Sequence, residues 1–160
     1  ALYDASKAGV KIELIVRGIC CIKAGVPGLS DNISVRSIVG NYLEHSRIFY
    51  FYNDGFEDIY MGSADWMPRN LDKRVEITFP VEDPELKKKI KNILKIQLED
   101  TLKAHIMQPD GSYAKQDLRG KAKLDSQMYF VKLAQESQKP VKEEDNDRVF
   151  IPVESHGDNE

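Results

Sequence analysis

Cysteine is scarce in this 160-residue chain: there are two, Cys20 and Cys21, and they are adjacent. Neighbouring thiols give neither a disulfide framework nor a zinc-ligand spacing. They read as small buried thiols in a reducing compartment, so the expected location is the cytoplasm, with peripheral association with a membrane left open. No apolar run approaches the ~20 residues that a membrane-spanning helix needs. No signal-peptide pattern stands at the start. Net charge is small, -3 at pH 7, which gives a nucleic-acid partner no support. No internal repeat is visible.

What is there fits a globular domain. The length allows one domain with a real core, and 41% hydrophobic with 31% charged residues is ordinary composition. The chain opens on ALYDASKAG, which reads as the middle of a helix and predicts a piece of a longer protein. Five of the seven arginines (Arg17, Arg36, Arg47, Arg69, Arg74) fall in the first half, while the lysines cluster later. A guanidinium grips phosphate with a planar fork, so that placement draws attention to the first half.

Hydrophobic periodicity predicts a mixed α/β domain, a sheet flanked by helices. A helix is expected over 2–8, with Gly9 as its C-terminal cap. KIELIVRG (11–18) alternates as a strand and puts Arg17 at its C-terminal end, where open α/β sheets bind ligands. Residues 18–32 carry loop chemistry. ISVRSIV (33–39), HSRIFYFYN (45–53), DIYMGSA (58–64) and RVEITFPV (74–81) read as further strands. A long amphipathic helix is predicted over 83–107, starting at Asp83-Pro84 and carrying Lys87, Lys88, Lys89, Lys91 and Lys95 as a mostly solvated face. PDGS (109–112) is a turn, and 123–137 a shorter helix. The domain is expected to occupy 1–138, with an acidic, flexible tail over 139–160.

The chemistry concentrates on one predicted hairpin. A turn centred near 54–55 puts His45 opposite Ala64–Asp65 and Arg47 opposite Gly62–Ser63, within about two residues. His45 and Arg47, two apart on a strand, share a face at ~7 Å. The patch then holds an imidazole, a guanidinium, the Ser63 hydroxyl and the Asp65 carboxylate. Arginine neutralises phosphate charge in a transition state. Histidine exchanges a proton near neutral pH or becomes phosphorylated. Asp65 would orient the imidazole or bind a metal. Arg69 and Asn70 follow closely.

LIVRGICCIKAGVPGLSDNISVRSIVGNYLEHSRIFYF (14–51) and SADWMPRNLDKRVEITFPVEDP (63–84) resemble the C-terminal domain of polyphosphate kinase, with a match running from residue 1 to about 113. The resemblance implies a phospholipase D-like fold in which two related domains pack around the active site. It implies a transferase that reversibly moves the terminal phosphate of ATP to polyphosphate with the help of magnesium. It also implies that Arg17 of IVRG and His45 of EHSR contact the nucleotide phosphates. The family's phosphorylated histidine belongs to the preceding domain, and the first strand of this one is expected upstream of Ala1. His45 is therefore expected to act as a catalytic, phosphate-contacting partner and not as the primary nucleophile. The isolated chain is expected to be inactive, and its partners to be ATP or ADP, polyphosphate and the remaining domains of the same enzyme, with a homo-oligomer left open. Arg47, Ser63, Arg69 and Arg74 complete the expected phosphate-binding set, with Asp65 and Asn70 in support and the metal ligands unassigned.

Departures from the phospholipase D pattern count against phosphodiester hydrolysis and fit a kinase better, although a homodimer would supply a second copy of the motif. The usual HxK is HSR (45–47), Tyr52 stands where an aspartate is usual, and GSAD puts Asp65 where an asparagine often follows. A phosphodiesterase of that class needs two facing HxK histidines, whereas this chain offers one HxR, His105 in a predicted helix and His156 in the tail. The other rival is a non-catalytic module that binds a polyanion through Arg17, Arg36, Arg69 and Arg74. Trp66 reads as a packing anchor before a platform for adenine, and Tyr42, Tyr50 and Tyr52 as sheet packing. Asp65 and Glu76 read as salt-bridge partners of Arg47, Arg69 or Arg74 before metal ligands, and Asn70 as a tie for the loop after Trp66.

Overall fold

The alternation in KIELIVRG does produce a strand, but a short one. In the computed structural model, which describes residues 1–138, β1 spans Ile12–Ile15. The tail expected over 139–160 lies outside the described residues. Helix α1 (Leu2–Lys7) precedes β1, and Gly9 follows it with φ 91°, the left-handed geometry that ends a helix and that glycine adopts without strain. β1 pairs in parallel with β2 (Ile33–Ile38), in the register Ile12 with Ile33. The Val16 N–H still donates to the Arg36 carbonyl at 2.8 Å, and Arg17 is the next residue, just past the ladder.

The class is mixed α/β as expected, but the strands divide between two sheets. The first has the order β1-β2-β6-β7, with β6 (Ala104–Met107) and β7 (Tyr113–Lys115) antiparallel. The second has the order β3-β4-β5, with β3 (Ile48–Phe51), β4 (Asp58–Gly62) and β5 (Thr78–Pro80) all antiparallel. The hairpin register is the one its turn predicted: Ile48 faces Met61, and the Gly62 N–H donates to the Arg47 carbonyl at 3.1 Å. The turn is wider than two residues, because Asn53 (φ 45°), Asp54 (φ 51°) and Glu57 (φ 22°) all take positive φ.

Three expectations fail at their edges. The strand over 74–81 shrinks to β5, because Pro68 starts a short helix α2 (Pro68–Lys73) that occupies the approach to it. Helix α3 (Pro84–Leu98), capped by Asp83 accepting from the Leu86 N–H at 2.9 Å, does not run to 107. Leu102 and Ile106 keep helical spacing, yet 104–107 becomes β6, where a ladder to Arg36, Ser37 and Ile38 satisfies its backbone. His105 is therefore on a strand and not in a helix. The last helix, α4, begins at Ser126 and ends at Ser137.

Asp100 explains the stop after α3. Its carboxylate is fully buried and accepts four hydrogen bonds: from the N–H groups of Lys103 (2.7 Å) and Ala104 (3.0 Å), and from the N–H and hydroxyl of Ser126 (2.7 Å each). One side chain thus joins the end of α3, the start of β6 and the start of α4.

Each sheet has its own core. Ile33, Val35, Ala24 and Met107 are buried under the first, with Ile12 and Leu14 of β1 and Val16 just past it against them. Ile59 and Val81 are buried with Ile90 of α3 under the second. Glu57 fastens α3 to the hairpin turn by accepting from Tyr50 and Lys91 on its carboxylate and from Lys87 on its carbonyl. Two lysines of the expected solvated face are thereby engaged. Cys20 packs against the first core, but Cys21 is exposed, so the pair is not uniformly buried.

Candidate functional site

Arg17 and His45 come together because β1 ends beside the segment that leads into β3. The Arg17 guanidinium donates through Nη1 to the carbonyl of Glu44, the residue before His45. Arg47 closes the other side. Its Nη1 donates to the His45 carbonyl at 2.9 Å, and its Nε lies 3.1 Å from Asp65 Oδ1. The hydrogen bond from Arg47 holds the Asp65 carboxyl below the ordinary carboxylate range, and the charges of Arg47, Arg17 and His45 act on it in the same direction. Arg47 binds that carboxylate directly, and Arg17 and His45 act on it through their charge alone. Arg17 and His45 are exposed, and each arginine has only part of its donor fork committed among the described residues.

The remaining expected residues form a neighbouring cluster around Glu76. The Ser63 hydroxyl donates to Glu76 Oε2 and accepts from the Ile77 N–H at 3.1 Å. Asn70, buried on α2, donates through Nδ2 to Glu76 Oε1 at 3.1 Å, and Arg74 Nε lies 4.0 Å from the same oxygen. Asn70 thus ties α2 to the strand approach, and its Oδ1 has no partner among the described residues. The set expected on one patch is in this way divided. Arg17, His45, Arg47 and Asp65 stand together, while the Ser63 hydroxyl is turned to Glu76. Arg69 is exposed on α2 with no hydrogen bond or ion pair among the described residues.

Arg36 goes elsewhere. Its Nη1 caps α3 at the Leu98 carbonyl, and burial pushes its guanidinium below its ordinary value against the pull of Glu13 and Asp100. It serves the fold at the end of α3 and stands apart from the Arg17–Arg47 cluster. Trp66 stacks on Phe49 with ring centroids 5.2 Å apart and planes 8° off parallel, so it is anchored, although it remains exposed.

Three residues escaped the reading of the sequence: Gly40, Glu44 and Gln127. Gln127, on α4, donates to Glu44 Oε1 at 2.8 Å and brackets Tyr42, donating to its carbonyl at 2.7 Å and accepting from its N–H at 2.9 Å. No sequence motif marks it, since its partners are more than 80 residues away. Among the described residues, no group of three or more His, Cys, Asp or Glu side chains gathers as a metal cage. Asp65 stands among cations, an arrangement that suits phosphate oxygens and does not fit a divalent ion.

The family match now adds to this geometry. The family described as polyphosphate kinase C-terminal domain 2 matches residues 1–127. The chain belongs to the polyphosphate kinase family. Among its relatives, the polyphosphate kinase of Lactiplantibacillus plantarum is 53% identical over 138 residues, covering 86% of this chain and 19% of that protein. Polyphosphate kinase 1 of Chlorobaculum tepidum is 56% identical over 133 residues, 82% of this chain and 19% of the relative. The crystal structure of polyphosphate kinase from Porphyromonas gingivalis superposes with a TM-score of 0.78 at 43% identity, over 86% of this chain and 22% of that one. The chain thus spans about a fifth of the polyphosphate kinases it matches. Its mixed α/β fold is that of the phospholipase D-like C-terminal domain of that family. No helix among the described residues is long and apolar enough to cross a membrane.

Proposed function

We propose that this chain is the phosphate-holding part, residues 1–138, of a polyphosphate kinase that reversibly transfers the terminal phosphate of ATP to polyphosphate. The observation that carries the reading is the meeting of Arg17 and His45, 28 positions apart in sequence, across the Glu44 carbonyl and beside Asp65. The family membership supplies the substrates, and the geometry supplies a means of holding them.

In this reading the Arg17 and Arg47 guanidiniums take phosphate oxygens with the donors that Glu44, His45 and Asp65 leave uncommitted. Both forks are braced on one side, so little side-chain freedom is lost when phosphate binds. His45 offers its ring to a phosphate oxygen, as a hydrogen-bond donor or as a proton donor to the leaving phosphate. Arg69 extends the cationic surface along α2, and Arg74, Ser63 and Asn70 support it through Glu76. Magnesium, which the family implies, would shield the charge of the transferring phosphates. Among the described residues no cluster of carboxylates, histidines or cysteines forms its site. The nucleophile that accepts the phosphate is supplied by the part of the enzyme outside this chain, so the 160-residue chain alone does not turn over.

The test is Arg17→Ala and His45→Ala in the complete enzyme, assayed for polyphosphate synthesis from ATP. Full activity in both variants would overturn the assignment. A phosphodiesterase reading gains nothing from the fold: His105 sits on β6, with its Nδ1 3.2 Å from the Lys103 carbonyl, and His156 lies outside the described residues.

A further inference from the structure

The segment 39–47 has no regular secondary structure before β3, yet it carries Glu44, His45 and Arg47. Something other than a ladder must fix it. The structure assigns that task to Gln127: we propose that this side chain on α4 is a positioning residue that sets the EHSR segment against Arg17. The inference rests on the reading of Arg17 and His45 as phosphate-holding groups and adds what places them.

Four observations converge. Gln127 is 4% exposed, although its partners lie on a largely exposed segment. All of its amide is used: Oε1 accepts from the Tyr42 N–H, and Nε2 donates to the Tyr42 carbonyl and to Glu44 Oε1. A primary amide is the side chain that offers a donor and an acceptor at once to both sides of one peptide residue. Gly40 is shaped to the same group, because a Cβ there would stand 2.2 Å from Gln127 Oε1 and 2.8 Å from its Cδ. The amide is itself anchored, since its neighbour Ser126 is fully buried and bound twice to Asp100. Hydrogen bonds on either side of the Ser126–Gln127 peptide, at the start of α4, thus connect Asp100 with Tyr42 and Glu44. From Glu44 the carbonyl meets Arg17, and the next residue is His45.

The chemistry supplies a sharp variant. Gln127→Glu keeps the shape and the acceptor for the Tyr42 N–H, but removes both donors and sets a second carboxylate against Glu44. Like charges at hydrogen-bond distance repel, so the segment should detach while the fold remains. Adding Glu44→Gln to Gln127→Glu restores one donor–acceptor pair between the two positions. Gly40→Ala reaches the same amide from the other side.

All three are made in the complete enzyme and followed in two ways. Hydrogen exchange of the Tyr42 amide and of peptides within 41–46 reads the tether without any need for activity. Steady-state kinetics with ATP and polyphosphate read its consequence. In Gln127→Glu and Gly40→Ala, exchange over 41–46 is expected to rise by at least about tenfold, with exchange in β1 and β2 unchanged. The kcat/KM for ATP should fall by about tenfold or more. The double variant should recover a large part of both. Unchanged exchange over 41–46 in both Gln127→Glu and Gly40→Ala overturns the tether, and faster exchange with undiminished kcat/KM overturns the positioning role. Failure of the double variant to recover either quantity also counts against it, because a general packing defect would not respond to which residue carries the charge. If the wild-type enzyme makes no polyphosphate, the kinase reading fails, while the exchange experiment still decides the tether.

Discussion

Arg47 Nε lies 3.1 Å from Asp65 Oδ1, which joins the residue just before β3 to the loop after β4. The pair is partly exposed, so its contribution to stability is modest. The hydrogen bond from Arg47 lowers the Asp65 carboxyl below its ordinary value. A lowered folded-state value means that the contribution is complete above the ordinary carboxylate range and is lost as pH falls through the lowered one. The melting temperature of the wild type should therefore exceed that of Asp65→Asn at neutral pH. The gap should close on acidification through and below the ordinary carboxylate range. A gap that widens toward acid would contradict the ion pair.

Removing either group that meets at Glu44 should cost transition-state stabilisation. Arg17→Ala and His45→Ala in the complete enzyme are each expected to lower kcat/KM for ATP by roughly two orders of magnitude or more, the scale of losing one well-aimed charged donor. Arg17→Lys should recover little, because a point charge cannot both brace on the Glu44 carbonyl and take a phosphate oxygen in a fork. Rate assays over a range of ATP concentrations decide this.

The arginines should separate by where their donors go. Calorimetric titration of the complete enzyme with polyphosphate should show weaker binding in Arg17→Ala and Arg69→Ala. Raising the salt concentration should weaken binding in the wild type as well. Arg36→Ala should bind like the wild type while melting at a lower temperature, because its Nη1 caps α3 at Leu98. Loss of polyphosphate affinity in a folded Arg36→Ala enzyme would reinstate it as a polyanion contact.

Asp100 carries no chemistry, yet its replacement should be among the most damaging to the fold. Asp100→Ala strands four donors that its carboxylate receives and is expected to cost on the order of 3 kcal/mol in denaturant unfolding of the domain. Asp100→Asn keeps the shape but presents an N–H₂ where a donor already points, so it should fall between the two. A neutral Asp100→Ala would mean that α4 is held by other means.

The hairpin was legible because its signals are local. The turn residues around Asp54 and Gly55 and the aromatic, β-favouring residues of HSRIFYFYN set a register that the structure keeps, with Gly62 opposite Arg47. The core-facing alternation of Ile12, Leu14 and Val16 was equally plain. The end of α3 was not, since Leu102 and Ile106 continue a helical period. Only Asp100 turning back on Lys103 and Ala104, and β2 accepting 104–107 as a strand, break it. Short α2 and β7 gave too few residues for any periodicity to register.

By itself the sequence determined which groups are available: arginines before lysines in the first half, one HSR, a GSAD, and paired strands that place them at one end of a hairpin. Side-chain type and short-range spacing are properties of the chain, so they survive without a fold. Only the tertiary structure decided which of these groups meet. It sent Arg36 to the end of α3, turned Ser63 and Asn70 to Glu76, and brought Gln127 across more than 80 residues to hold Tyr42 and Glu44. Those contacts depend on how helices seat against two separate sheets, and packing of that kind leaves no period or motif in the chain to read.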